Sequence, residues 1–135
     1  MTIIGSRVES DIDNLASQLQ QLIRVPSVSA KKELTLLNCA TLVSELMAKA
    51  GIKSELLTLD YNSEQIPPIV YGEVKSKSNP NGKTILFYNH YDVQPAEQIE
   101  LWDDDPFSGK IDGNFIFGRG STDDKGELIT RIKAV

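Results

Sequence analysis

The sequence predicts an α/β domain in which helices flank a mixed, mostly parallel sheet. The prediction rests on two amphipathic helical patterns early in the chain, strand signals through its middle and a third helical pattern at its end. In the first pattern Ile12, Leu15, Leu19, Leu22 and Ile23 recur at the spacing of one helix face. Ser10, with Asp13 three residues on, resembles a capping box, so this helix is expected to start near Asp11. Pro26 ends it at about Arg24, because the proline ring disfavours helical backbone at the preceding residue. The second stripe, Leu34, Leu37, Leu42, Val43, Leu46, Met47 and Ala50, closes at Gly51, where a left-handed C-cap belongs.

Strands are expected at Lys53 to Leu59, at Ile69 to Val74 after Pro67-Pro68, and at Thr84 to Tyr88 after Asn81-Gly82. The last is an unbroken apolar run of the kind a central strand requires. Lys75 to Gly82, rich in Ser, Lys, Asn, Pro and Gly, reads as a solvated turn. Phe115 and Phe117 with nearby glycines suggest a short strand ending at Gly118, and Leu128, Ile129, Ile132 and Val135 outline a third helix from Lys125. No Gly, Asn or Pro closes that helix, so either the sequence is part of a longer polypeptide, which is the expectation, or this is a short final helix.

A chain of 135 residues suffices for one domain. Its net charge of −5 and scattered Lys and Arg exclude nucleic acid as a partner, since phosphate binding needs a basic face. Cys39 stands alone, which rules out an internal disulfide or a cysteine-based zinc knuckle and suits a reducing cytoplasm. Its simplest role is that of a small apolar side chain on a helix. The first residues lack a basic start followed by an apolar core, and no run approaches the ~20 apolar residues that span a bilayer. A soluble cytoplasmic protein without a membrane partner is expected.

Two segments carry the chemistry. Asn89-His90-Tyr91-Asp92-Val93-Gln94-Pro95 follows the apolar run, and Gly118-Arg119-Gly120-Ser121-Thr122-Asp123-Asp124-Lys125-Gly126 precedes the last helix. Ligands bind at the carboxyl ends of strands in open α/β sheets, because loops there bring several side chains together. His90 and Asp92 are two apart, so on an extended backbone both leave on one face. A carboxylate can then hold one imidazole nitrogen while the other meets a metal. A hydrogen-bonded structural histidine accounts for His90 equally simply. Asp123 and Asp124 at a helix entry are explained either as plain N-terminal caps or as metal-binding carboxylates. A phosphate-loop reading fails, because the order at the helix start is Asp-Asp-Lys-Gly rather than Gly-Lys-Ser/Thr.

Taken in order, His-Tyr-Asp-Val-Gln-Pro, then Trp102 to Phe107, then Gly-Arg-Gly-Ser-Thr-Asp-Asp-Lys-Gly closely resemble the zinc peptidase family of carboxypeptidases, dipeptidases, aminoacylases, acetylornithine deacetylase and succinyl-diaminopimelate desuccinylase. The dipeptidase branch looks nearest. The likeness is dense from Tyr88 to Gly126 and looser before it, although Val25-Pro26-Ser27-Val28-Ser29 also resembles the family's opening. The resemblance implies a partial di-zinc peptidase catalytic domain of phosphorylase/hydrolase-like fold. It implies that His90 binds one zinc, that Asp92 orients His90 and so serves catalysis, and that Asp123 bridges two zinc ions, with cobalt or manganese as substitutes. It further implies a cis peptide bond before Asp124. Trp102, Pro106 and Phe107 are expected to pack a loop over the sheet.

In that family a Glu-Glu pair, a further acidic ligand and a distant histidine complete the site, and none of these lies within residues 1–135. His90 is the only histidine, so the chain cannot supply a second imidazole. Residues 1–135 are therefore expected to be the N-terminal part of a single catalytic domain, without the family's dimerisation domain, weak or deficient in metal binding and inactive alone. Nothing in the spacing of Asp104 or Asp105 marks either as a substitute ligand. The complete enzyme would hydrolyse the amide bond of a peptide or N-acyl amino acid with a metal-activated water. Uncovered edges favour a homo-oligomer or a complementary C-terminal partner. The alternative is a non-catalytic homologue acting as an association module or as half of a split enzyme.

Overall fold

A computed structural model describes residues 3–31, 34–61 and 64–135. Three helices, α1 (Ile3–Ile23), α2 (Leu34–Lys49) and α3 (Lys125–Ala134), supply most of the core. On α1 the buried face runs through Gln18, Leu19, Leu22 and Ile23, with Leu15 partly covered. These positions recur at three and four residues, so they share one stripe. Cys39, Val43 and Leu46 from α2, and Leu128, Ile129 and Ile132 from α3, close on that stripe. Each fully buried Leu or Ile of this kind stabilises the fold by roughly 1.5–3 kcal/mol.

The α1 helix begins at Ile3, eight residues before the expected start. Residues 3–10 contain no proline, so nothing obliges the helix to stop, and Ser10 lies inside it rather than at its cap. Ile12 is 58% exposed and so falls off the buried stripe. In α2 the buried residues are Leu36, Cys39, Ala40, Val43 and Leu46, whereas Leu34 and Leu37 face solvent. The buried stripe of α2 is thus centred on Leu36, Cys39, Val43 and Leu46, and Leu34 and Leu37 fall to its sides.

The end of α2 is as expected. Gly51 adopts φ +85°. The Gly51 N–H donates to Ala48 O at 3.0 Å and the Ile52 N–H to Met47 O at 2.9 Å, the paired bonds of a Schellman cap. Ile52 then turns into the core.

The strands are β1 (Ser54–Leu57), β2 (Asp60–Tyr61), β3 (Glu64–Gln65), β4 (Ile69–Gly72), β5 (Lys110–Asp112) and β6 (Phe115–Phe117). They form three two-stranded antiparallel ladders: β1 with β4, β2 with β3, and β5 with β6. The β1–β4 ladder lies against α2. The one parallel pairing among the described residues is the isolated bridge between Val28 and Val93. Expectation and structure part here: the mostly parallel character and the central strand at Thr84 to Tyr88 are not observed. Residues 84–88 form no ladder, and Leu86 and Tyr88 are 86% and 83% exposed. A central strand needs neighbours on both edges, and no described segment lies alongside to provide them. Instead the run forms one wall of an open groove of about 1200 Å³, shared with Val70, Leu128 and Ile132. Among the described residues no helix is long and apolar enough to cross a membrane.

Replacing Gly51 by Ala tests the cap alone, because no atom lies within 4 Å of where the new Cβ would be placed. The left-handed backbone costs a non-glycine residue about 1–2 kcal/mol, and Gly51→Ala is expected to lower the unfolding free energy in urea by that amount without altering the helical circular dichroism.

Candidate metal centre

The two motif segments meet at the start of α3. Gly118 and Gly120 have φ of 153° and 85°, which turn the second loop back on itself. A Cβ at Gly120 would stand 2.7 Å from Val93 Cγ1 and 3.3 Å from Lys125 Cδ, so a side chain there would hold the two loops apart. The Asp123–Asp124 peptide bond is cis, as the family resemblance implied.

Asp124 ties the loops together. Its Oδ2 accepts from Asn89 Nδ2 at 2.8 Å and from the His90 backbone N–H at 2.9 Å. Its side chain makes no capping bond to α3, so the plain-cap explanation does not hold for this carboxylate. Asp123 turns its Oδ1 to His90 Nε2 at 3.0 Å and is otherwise 86% exposed. The structure thus brings His90, Asp92 and Asp123 together, though not at the rim of a sheet. The pairing of Val93 with Val28, where α1 hands over to α2, supports the site instead.

On its other side the imidazole is held through Nδ1, 3.0 Å from the Asp92 backbone carbonyl and 3.2 Å from Asp92 Oδ1. Both neighbours of Nδ1 are acceptors, so Nδ1 carries a proton. In a neutral ring Nε2 then presents a lone pair, which would face the Asp123 carboxylate lone pair to lone pair. Attraction across that 3.0 Å gap requires positive charge, either a second proton or a cation. Burial pulls the His90 pKa down, but the Asp92 carbonyl, the Asp123 hydrogen bond and the charges of Asp92 and Asp124 outweigh it and raise the pKa above 6.5.

The donor set suits part of a metal site. Zinc bonds of about 2.0–2.2 Å place two ligands of a tetrahedral ion roughly 3.3 Å apart, within a few tenths of an ångström of the observed His90–Asp123 separation. One imidazole and one facing carboxylate still fall short of a closed site, and among the described residues no three His, Cys, Asp or Glu side chains form a metal-holding group. Asp104 and Asp105 do not join in. Asp104 pairs with Lys110 Nζ at 2.7 Å, and Asp105 Oδ1 accepts the Phe107 N–H at 2.8 Å. Trp102 packs beneath the Arg119 guanidinium, 5.3 Å from the ring centroid, and Pro106 is buried beside the same loop.

Around this pair lie residues that the motif reading passed over. Ser27 Oγ donates to Tyr91 O at 2.6 Å, and Lys125 Nζ donates to Leu22 O and Val25 O, each at 2.8 Å. Tyr91 Oη donates to Pro68 O at 2.6 Å, and burial pushes its pKa up to about 12. Cys39 Sγ lies 3.6 Å from Tyr91 O, and burial raises its thiol pKa. By residue type a lysine at a helix start reads as solvated, so only its burial reveals Lys125.

Helices against small sheets, with a His-x-Asp loop facing an Asp-Asp loop at a helix start, define the class as part of an α/β catalytic domain of the peptidase kind. The family profile of peptidase family M20/M25/M40 matches residues 86–135, both loops included. A Cys-Gly metallodipeptidase of Schizosaccharomyces pombe is 37% identical over 136 residues, covering 95% of this chain and 28% of that protein. The chain belongs to peptidase family M20/M25/M40. A Beta-Ala-His dipeptidase of Mus musculus is 43% identical over 95 residues, 64% of this chain and 18% of that one. Among solved structures, an M20 family metallo-carboxypeptidase from Sulfolobus solfataricus superposes with a TM-score of 0.76 at 35% identity, over 89% of this chain and 26% of that one. Human carnosine dipeptidase 1 shares the fold, with a TM-score of 0.81 at 23% identity over 96% of this chain and 29% of that one. The chain therefore spans less than a third of the length of each of these proteins.

The raised His90 pKa means that the folded chain holds the imidazole proton more tightly than the unfolded chain does. The stability it contributes is present below the unfolded pKa and lost as pH rises through the folded one. Asp123→Asn is expected to lower the His90 midpoint, read by NMR from the chain's only imidazole. Asp124→Ala removes the shared acceptor of Asn89 and His90 and is expected to cost about 1–3 kcal/mol in urea unfolding.

Proposed function

We propose that this chain forms one side of the catalytic centre of a metal-dependent peptidase or amidohydrolase, with His90 and Asp123 as ligands and Asp92 as the residue that orients His90. The observation behind the reading is the 3.0 Å gap between His90 Nε2 and Asp123 Oδ1, bounded by a proton-bearing Nδ1 on the far side of the ring. Zinc is the ion proposed, and when bound it supplies Lewis acidity toward an amide carbonyl and makes water a competent nucleophile near neutral pH. The chain's own residues do the positioning. Asp92 fixes the tautomer that leaves Nε2 free to coordinate, Asp123 presents a solvent-facing carboxylate oxygen, and Asp124 holds the His90 backbone in place. The substrates proposed are dipeptides and N-acyl amino acids, in keeping with the dipeptidases and the carboxypeptidase it is similar to. Among the described residues none is placed to take the water's proton, so on this reading amide hydrolysis requires further residues, supplied by the same polypeptide or by a partner. Residues 1–135 form the N-terminal part of a single catalytic domain on this reading, and the lone free Cys39 suits a cytoplasmic setting.

The open groove favours a second reading, in which the chain acts by association. Ile85, Leu86, Phe87 and Tyr88 line it with exposed apolar surface beside His90 and Asp92. Such a wall suits a homo-oligomer or a complementary chain that completes the site.

Cobalt(II) titration followed by visible absorption tests the metal reading. The native chain is expected to bind the ion weakly, His90→Ala to abolish binding, and Asp123→Asn to weaken it about tenfold or more. Turnover of dipeptides by residues 1–135 alone would overturn the proposed need for further residues, and unchanged binding by His90→Ala would overturn the ligand assignment. Sedimentation showing only a compact monomer at all concentrations would count against the associating form.

A further inference from the structure

One short stretch of backbone at the end of α1 touches both loops of the candidate centre. Lys125 is wholly buried, and its ammonium donates to Leu22 O and Val25 O at 2.8 Å each. Two residues further on, Ser27 is also wholly buried. Its hydroxyl donates to Tyr91 O at 2.6 Å, and its carbonyl accepts the Val93 N–H at 2.9 Å. Residues 22–27 therefore grip the Asp-Asp loop through Lys125, two positions after Asp123. They also grip the His-x-Asp loop on both sides of Asp92.

The lysine is not needed to satisfy these carbonyls. Leu22 O already accepts the Val25 N–H at 3.2 Å, and Val25 O already accepts the Ser27 N–H at 2.8 Å. Burying an ammonium is costly, and a hydrophobic residue of similar volume generally serves packing as well or better. What the charge adds is a tie: one ammonium donating to both carbonyls joins them to its own helix start. The neighbouring Gly120, which admits no Cβ between Val93 and Lys125, lets the bracket close tightly.

We propose that Lys125 and Ser27, acting through the α1 C-terminal turn, are positioning residues that set the separation between the His90 imidazole and the Asp123 carboxylate. The importance of that separation rests on the metal-centre reading, but the bracket itself can be tested without metal. The test compares the native chain with Lys125→Met, Ser27→Ala and, as a control, Ile129→Val, which trims the buried core elsewhere on α3. Three quantities are read on metal-free protein: the urea midpoint, the ring nitrogen resonances of the sole histidine at a pH below its midpoint, and hydrogen exchange at the Val93 amide.

Lys125→Met and Ser27→Ala are expected to move the His90 Nε2 resonance and to lower Val93 protection about tenfold or more, beyond any change in midpoint. Ile129→Val should lower the midpoint and leave the ring resonances where they were. Native-like ring signals and Val93 protection in Lys125→Met, or changes no larger than those of Ile129→Val, would overturn the proposal. Should Lys125→Met fail to fold, Ser27→Ala decides by the same two readouts. A native chain that takes up no cobalt(II) while the ring signals respond as expected would sink the metal reading and leave the bracket standing.

Discussion

The site depends on an imidazole held between acceptors on both sides. The backbone carbonyl and carboxylate of Asp92 claim Nδ1, and Asp123 waits at Nε2. Neutral histidine has one proton to offer, so the arrangement is short of one unit of positive charge unless a proton or metal arrives. Much nearby structure keeps this demand in place. Asp124 anchors the ring's backbone, Gly120 lets the loops touch, and the cis bond between the two aspartates accompanies their divergent orientations, one toward the ring and one toward Asn89. Three carboxylates close to a single imidazole favour its charged form.

The parts of this that were legible in the amino-acid sequence are those written in local chemistry. Gly51 could be read as a cap because only glycine is at ease at positive φ, and His90 with Asp92 could be read as one face because extended backbone alternates. The α3 pattern was plain from Leu128, Ile129 and Ile132. Less legible was anything decided by neighbours. Thr84 to Tyr88 has every property of an inner strand, but pairing is a relation between two segments, and its partners are not among the described residues. The exposure of Leu34 and the burial of Cys39 likewise turn on which side of α2 meets the other helices. Periodicity finds a stripe but cannot centre it.

Ser27 and Lys125 illustrate a different kind of illegibility. Neither residue type is unusual where it stands, and both lie within segments already marked by family likeness. Their meaning comes from contacts across 64 residues for Ser27 and about 100 for Lys125. Polar side chains that bond backbone carbonyls leave no compositional trace, because any residue supplies a carbonyl. Such supports are read from burial and from hydrogen bonds, and they matter at a site whose function turns on tenths of an ångström.

The unpaired run Ile85–Tyr88 also bears on how the chain behaves in different buffers. Copies carrying a net charge of −5 repel one another. That repulsion reaches about 30 Å at 0.01 M ionic strength but only about 8 Å at 0.15 M. In dilute buffer, mutual repulsion keeps the exposed apolar runs of separate molecules apart. Near cellular salt that shield shrinks below the thickness of a sheet layer, and the exposed apolar run is free to meet its like on another copy.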